Sequence, residues 1–118
     1  MSTMSLVEGS NGVVAAWETE GQIYFSTISS GTSTISKSSA VPGPRRGRKH
    51  PVIAINKLGQ MIIAWTEGTG WEKGGALCWQ VYDSAGRPTS DQGRIEGAIP
   101  VWGLPAVVAT ETGFTIYH

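Results

Sequence analysis

The chain repeats itself, and what repeats is a set of short strands. Val14-Ala15-Ala16-Trp17 returns 48 positions on as Ile62-Ile63-Ala64-Trp65, with an acidic residue, Glu18 or Glu67, within two positions of each tryptophan. Gly21-Gln22-Ile23-Tyr24-Phe25 returns 54 positions on as Gly75-Ala76-Leu77-Cys78-Trp79. Pro51-Val52-Ile53-Ala54 returns at the same offset as Pro105-Ala106-Val107-Val108, and Gly59 is matched by Gly113. Self-similarity of this period marks an array of one supersecondary unit, which restricts the fold more than composition does.

The unit is made of β-strands. Gly or Pro, 16 and 6 of them, interrupts nearly every window long enough for three helical turns. Seven runs at 13–17, 22–28, 52–55, 61–65, 76–82, 106–109 and 114–117 are short, β-branched or aromatic, and bounded by turn residues. Several are apolar on both faces, which requires sheets covered on both sides. The unit reads as three strands and a weaker, polar fourth, the blade of a β-propeller. Residues 4–40 are expected to form one blade, 41–50 a linker, 51–102 a second blade, and 104–118 a terminal strand pair. Thr32, Thr34 and Ser36 around Ile35 suit a water-facing outer strand of the first blade better than a loop.

With 118 residues there is room for a single all-β domain, not for a two-domain enzyme. Nine Lys+Arg balance nine Asp+Glu, so no net field favours nucleic acid or an anionic membrane. Cys78 is alone, which excludes an internal disulfide and leaves the compartment open. No apolar run is long enough to span a bilayer, and residues 1–12 lack the pattern of a signal peptide. Gly68-x-Gly70 with Gly74 one position late, leading into a strand, is no dinucleotide fingerprint. His50 and His118 lack clustered metal ligands, and no cofactor is expected.

A blade buries both faces only between neighbours, so two and a half blades leave apolar sheet faces wet. A ring assembled from copies of the chain is therefore expected, a trimer ahead of a dimer.

His50-Pro51-Val52-Ile53-Ala54-Ile55-Asn56, Ala64-Trp65-Thr66-Glu67-Gly68 and Gly74-Gly75-Ala76-Leu77-Cys78-Trp79-Gln80 resemble blades of bacterial sialidase-like β-propellers. The resemblance covers nearly the whole chain and implies a propeller fold. Sialidases proper carry Ser-x-Asp-x-Gly-x-x-Trp turns, and Ser90-Asp91-Gln92-Gly93 departs from that pattern. They also gather an arginine triad, a Tyr/Glu nucleophile pair and an acid/base Asp from several blades, a set this chain does not present. The resemblance thus implies a fold rather than an activity. The architecture is also similar to small two-bladed lectins that trimerise into six-bladed propellers, with Gly70-Trp71 and Cys78-Trp79 resembling their tryptophan-bearing loops.

The copies differ most where the second inserts six residues between strands, reading Thr66-Glu67-Gly68-Thr69-Gly70-Trp71-Glu72-Lys73-Gly74-Gly75 against Glu18-Thr19-Glu20-Gly21. Insertions of this kind graft binding onto a rigid sheet. Trp71, with Glu72, Lys73 and Glu67, is the candidate platform for a glycan; the alternative is that Trp71 folds back on the blade or a neighbouring subunit. Arg45, Arg46 and Arg48, beside Lys49 and His50, are the candidate anion site. The alternative, which is favoured, is a solvated linker. Trp17, Trp65 and Trp79, read as equivalent strand positions, suit interblade packing, and Trp102 the entry to the last strand pair. Glu18 and Glu67 suit turn capping or pairing with Arg. The functional expectation is a non-catalytic, self-assembling propeller module, with a glycan-binding propeller and a glycosidase completed between subunits as alternatives.

Overall fold

The computed structural model describes residues 4–9, 12–29, 31, 34–44 and 46–118. The described residues form ten antiparallel strands and no helix. Strands β1 (Met4–Gly9), β2 (Gly12–Thr19), β3 (Gln22–Ser29) and β4 (Ser39–Ala40) make one meander sheet in chain order. Strands β5 (Arg48–Ile55), β6 (Met61–Glu67), β7 (Gly75–Tyr82) and β8 (Pro88–Ile99) make a second, and β9 (Ala106–Ala109) pairs with β10 (Phe114–Tyr117).

All seven runs expected as strands are strands. Strands β1 and β4 lie outside those runs, and β8 takes the place of the weaker, polar fourth strand expected of the second unit. β8 escapes the pattern because its exposed, largely polar sequence buries little besides Ile99. The outer strand expected around Ile35 is only partly formed. Ile35 makes a single bridge to Ile28, and the regular pairing is Ser39–Ala40 with Tyr24 and Phe25; Thr32 lies outside the described residues. The stretch expected to link the sheets is also partly strand, since β5 begins at Arg48.

The turns carry local signals. Thr19 pairs with Gln22, so Glu20 and Gly21 form a two-residue loop, both at positive φ (51° and 77°), the backbone of a type I′ hairpin. Asn56 and Asp83 open two turns of one design: the backbone N–H donates to the carbonyl four residues on, while the side-chain oxygen accepts two further backbone N–H groups. The Thr110–Gly113 turn closes the same way as a shorter version, so Gly59 and Gly113 occupy matching turns.

The sheets stack. Val14, Ala16 and Ile23 of the first sheet pack with Ile53, Met61, Ile63, Trp65 and Cys78 of the second in one apolar layer. The opposite face of the second sheet, with Ala54, Ile62, Ala64, Leu77 and Val81, is covered by Val107, Phe114 and Ile116 of the hairpin. Strand β6, wedged between two layers, is buried at every position. The second sheet is thus the filling of a three-layer stack.

Trp17 and Trp65 do sit at matching places on β2 and β6, but Trp79 does not belong with them. It lies on β7 and packs toward the hairpin, whereas Trp65 points the other way, into the first layer. One residue along a strand changes the face.

Candidate functional site

Register brings the candidates to one end of the stack. Arg48 at the start of β5 pairs with Glu67 at the end of β6, Glu67 pairs with Ala76, and Gly75 pairs with Ile99 at the end of β8. The β6–β7 loop, the β8–β9 connection and the segment leading into β5 therefore emerge side by side.

Within the inserted loop, Gly70 and Lys73 exchange backbone hydrogen bonds of 3.2 and 3.1 Å, making a miniature hairpin with Trp71 and Glu72 at its tip. Gly75 lets this hairpin leave the sheet, because a Cβ there would lie 2.3 Å from the Glu67 carbonyl oxygen. Trp71 does not fold back: it is 82 % exposed and meets Trp102 edge to face, ring centroids 5.0 Å apart at 85°. Trp102 is itself 67 % exposed, so it caps that loop rather than packing into the entry of β9. In the turn closed by Gly103 N–H donating to Pro100 O (2.8 Å), Trp102 has φ 65°, at the position where turns with positive φ normally place Gly or Asn.

Below the indoles a bulge between Lys49 and Val52 turns β5, and His50 takes φ 55°. The His50 Nδ1 atom is buried and has no hydrogen-bond partner among the described residues. Burial, then the neighbouring Lys49 charge, lowers its pKa from 6.5, with Glu18 opposing. These groups, with Lys73 and Leu104, line an open cleft of 400 Å³ that has no carboxylate among its described lining residues. Of the glycan-site candidates, Trp71 and Lys73 line it, Glu72 flanks it at the hairpin tip, and Glu67 lies outside it. Lys49, His50 and Trp102 complete it.

Glu67 and Arg48 belong instead to a buried brace, each 4 % exposed. The Glu67 carboxylate accepts from Arg48 Nε (3.1 Å), from Trp65 Nε1 (3.0 Å) and from Arg94 Nη1. Arg48 also donates to Gln22 Oε1 (2.8 Å), Val41 O (3.1 Å) and Pro42 O (2.8 Å), and lies over the Trp65 ring at 5.0 Å. One guanidinium thereby joins the first sheet, the connecting segment and the second sheet. Burial pushes the Glu67 carboxyl up, but the Trp65 donor and the Arg48 and Arg94 charges together hold it below the ordinary carboxylate range. Its two oxygens between them accept from three side-chain donors.

The arginine candidates are therefore split. Arg48 is an internal strut, not a residue of a solvated linker. Arg46 is exposed at the mouth of a neighbouring 240 Å³ hollow that Arg94 also lines, and Arg45 lies outside the described residues. Glu18 accepts from Gly21 N–H at 3.1 Å, a turn cap. Ser90-Asp91-Gln92-Gly93 runs inside β8, where Asp91 accepts from Trp79 Nε1 at 3.3 Å. A cleft of 410 Å³ opens at the opposite end between the first two sheets, but its Lys57 and Asp83 are paired with Glu111 and Arg87. Among the described residues no three His, Cys, Asp or Glu side chains converge on a metal position, and no helix is long and apolar enough to cross a membrane.

No family model, curated protein or solved structure matches the chain.

Proposed function

We propose that the chain is a non-catalytic β-propeller segment, its sheets serving as blades, that closes a ring by stacking on a second copy of itself. The observation that carries this reading is the sense in which its layers repeat. Val14 and Ala16, which face the second sheet, match Ile62 and Ala64, which face the hairpin. Ala15 and Trp17, on the outer face of the first sheet, match Ile63 and Trp65, which are covered. Ile53, facing the first sheet, matches Val107, facing the second, and Ala54 matches Val108. Each layer therefore relates to the next by one head-to-tail operation, which generates a closed ring or an open fibre.

The two ends of the stack are the unused halves of that contact. The outer face of the first sheet carries Met4, Leu6, Trp17 and Tyr24, with Leu6 62 % exposed and Trp17 stacked on Tyr24. The outer face of the hairpin carries Ala106, Val108 and Tyr117. Apolar sheet faces of this kind favour leaving water. The hairpin occupies a layer of its own, so two chains supply six layers and three supply nine. Propellers close with about four to eight blades, which moves the preference from a trimer to a dimer.

Sedimentation at micromolar concentration tests it. The expected mass is twice the 12.5 kDa of the chain, and Leu6→Lys or Val108→Lys, each at an exposed position, should return the single-chain mass with the fold intact. A wild-type chain that stays single at that concentration, or a mass unmoved by both substitutions, would overturn the proposal.

A further inference from the structure

We propose that the cleft walled by Trp71 and Trp102 binds an acidic saccharide, a pyranose ring carrying a sulfate or carboxylate group. The cleft is built by one chain, so this inference stands apart from self-association.

Three observations converge. Two indoles are held in water by a closed miniature hairpin and a closed turn, although exposed aromatic surface of this size is unfavourable unless something covers it. Their 85° arrangement makes a corner with one face and one edge. A flat aromatic ring is gripped best in a parallel slot, whereas a pyranose presents C–H groups on its face and at its rim and fills a corner. The cleft's 400 Å³ falls in the range of about 300–1,000 Å³ usual for small-molecule sites.

The polar lining selects charge. Lys49 and Lys73 line the cleft and no carboxylate is among its described lining residues, although Glu72 stands beside it at the hairpin tip and Glu18 acts on His50, so the lining itself favours an anionic group. Left-handed backbone at both His50 and Trp102, costly for non-glycine residues, is kept where both side chains meet the cleft.

The test is a titration of the intact chain, followed by indole fluorescence and calorimetry, with four probes. These are a heparin tetrasaccharide (sulfate and carboxylate), an oligogalacturonate (carboxylate only), maltotetraose (neutral) and polyglutamate (an anion without sugar). At least one acidic saccharide should bind with quenching, and whether the oligogalacturonate binds distinguishes carboxylate from sulfate. Trp71→Ala and Trp102→Ala should each weaken binding about tenfold with unchanged unfolding midpoints, while Trp71→Phe retains most of it. Lys49→Gln/Lys73→Gln should abolish the preference over maltotetraose. Leu6→Lys should bind normally, so a failed self-association leaves this result readable. No binding of either acidic saccharide at millimolar concentration, unchanged affinity in Trp71→Ala, or equal displacement by polyglutamate would overturn the inference.

Discussion

Replacing Glu67 by Gln keeps the shape of the buried brace and removes its charge. Arg48, 4 % exposed and 3.1 Å from the carboxylate, then loses the charge it is paired with. Breaking a buried ion pair from one side costs about 3–5 kcal/mol, because the surviving charge stays desolvated. The Arg94 leg adds little, since that side chain is 35 % exposed and its charge is screened. Against a total stability of about 5–15 kcal/mol the loss is a large fraction, and the melting midpoint should fall by more than about 10 °C. Urea unfolding monitored by indole fluorescence measures it, at one fixed protein concentration because self-association would add stability by mass action. Arg48→Met supplies the second arm of a cycle. It also strips Gln22, Val41 and Pro42 of their donor, so it should be costly alone, yet the double variant should cost at least about 1 kcal/mol less than the sum. A Glu67→Gln cost under about 1 kcal/mol, or effects that simply add, would refute the claim that these two groups act as one brace across the sheets.

The same carboxylate sets an acid limit. Its pKa is lowered on folding, so its contribution is fully present above the ordinary value of 4.5 and is lost as pH falls below that value toward the folded one. Wild-type stability should decline through that window, and the Glu67→Gln variant should show a shallower decline. Cys78 is buried, and burial followed by the Glu67 charge raises its pKa to about 11, so thiol reagents at neutral pH should leave it unmodified until urea opens the fold. At Gly93 a Cβ would lie 2.5 Å from the Trp79 ring, so Gly93→Ala should destabilise by about 1–3 kcal/mol and shift the indole emission on unfolding.

Much of the architecture is legible one strand at a time. The runs around Trp17, Trp65 and Trp79 announce themselves because pairing and burial both require β-branched and aromatic residues there. The inserted loop is visible as a length difference between copies, and with it Trp71. Strand β8 shows in the sequence only as a polar fourth strand without readable bounds, because an outer strand facing water needs no apolar signature. Arg48 conceals its role for a related reason: in a basic cluster it reads as solvated, and only its partners bury it. Those partners lie 19 and 26 residues away in the chain, beyond any local pattern.

The sequence by itself determined the strands, their turns and the period of the array, since each depends on backbone geometry and side-chain alternation within a few residues. Tertiary structure alone decided which tryptophans are filling and which are exposed, and that Lys49, His50, Lys73 and Trp102 share a cleft while Glu67 does not. Those outcomes depend on inter-strand register and on the bulge in β5, where a shift of one residue sends a side chain to the opposite face.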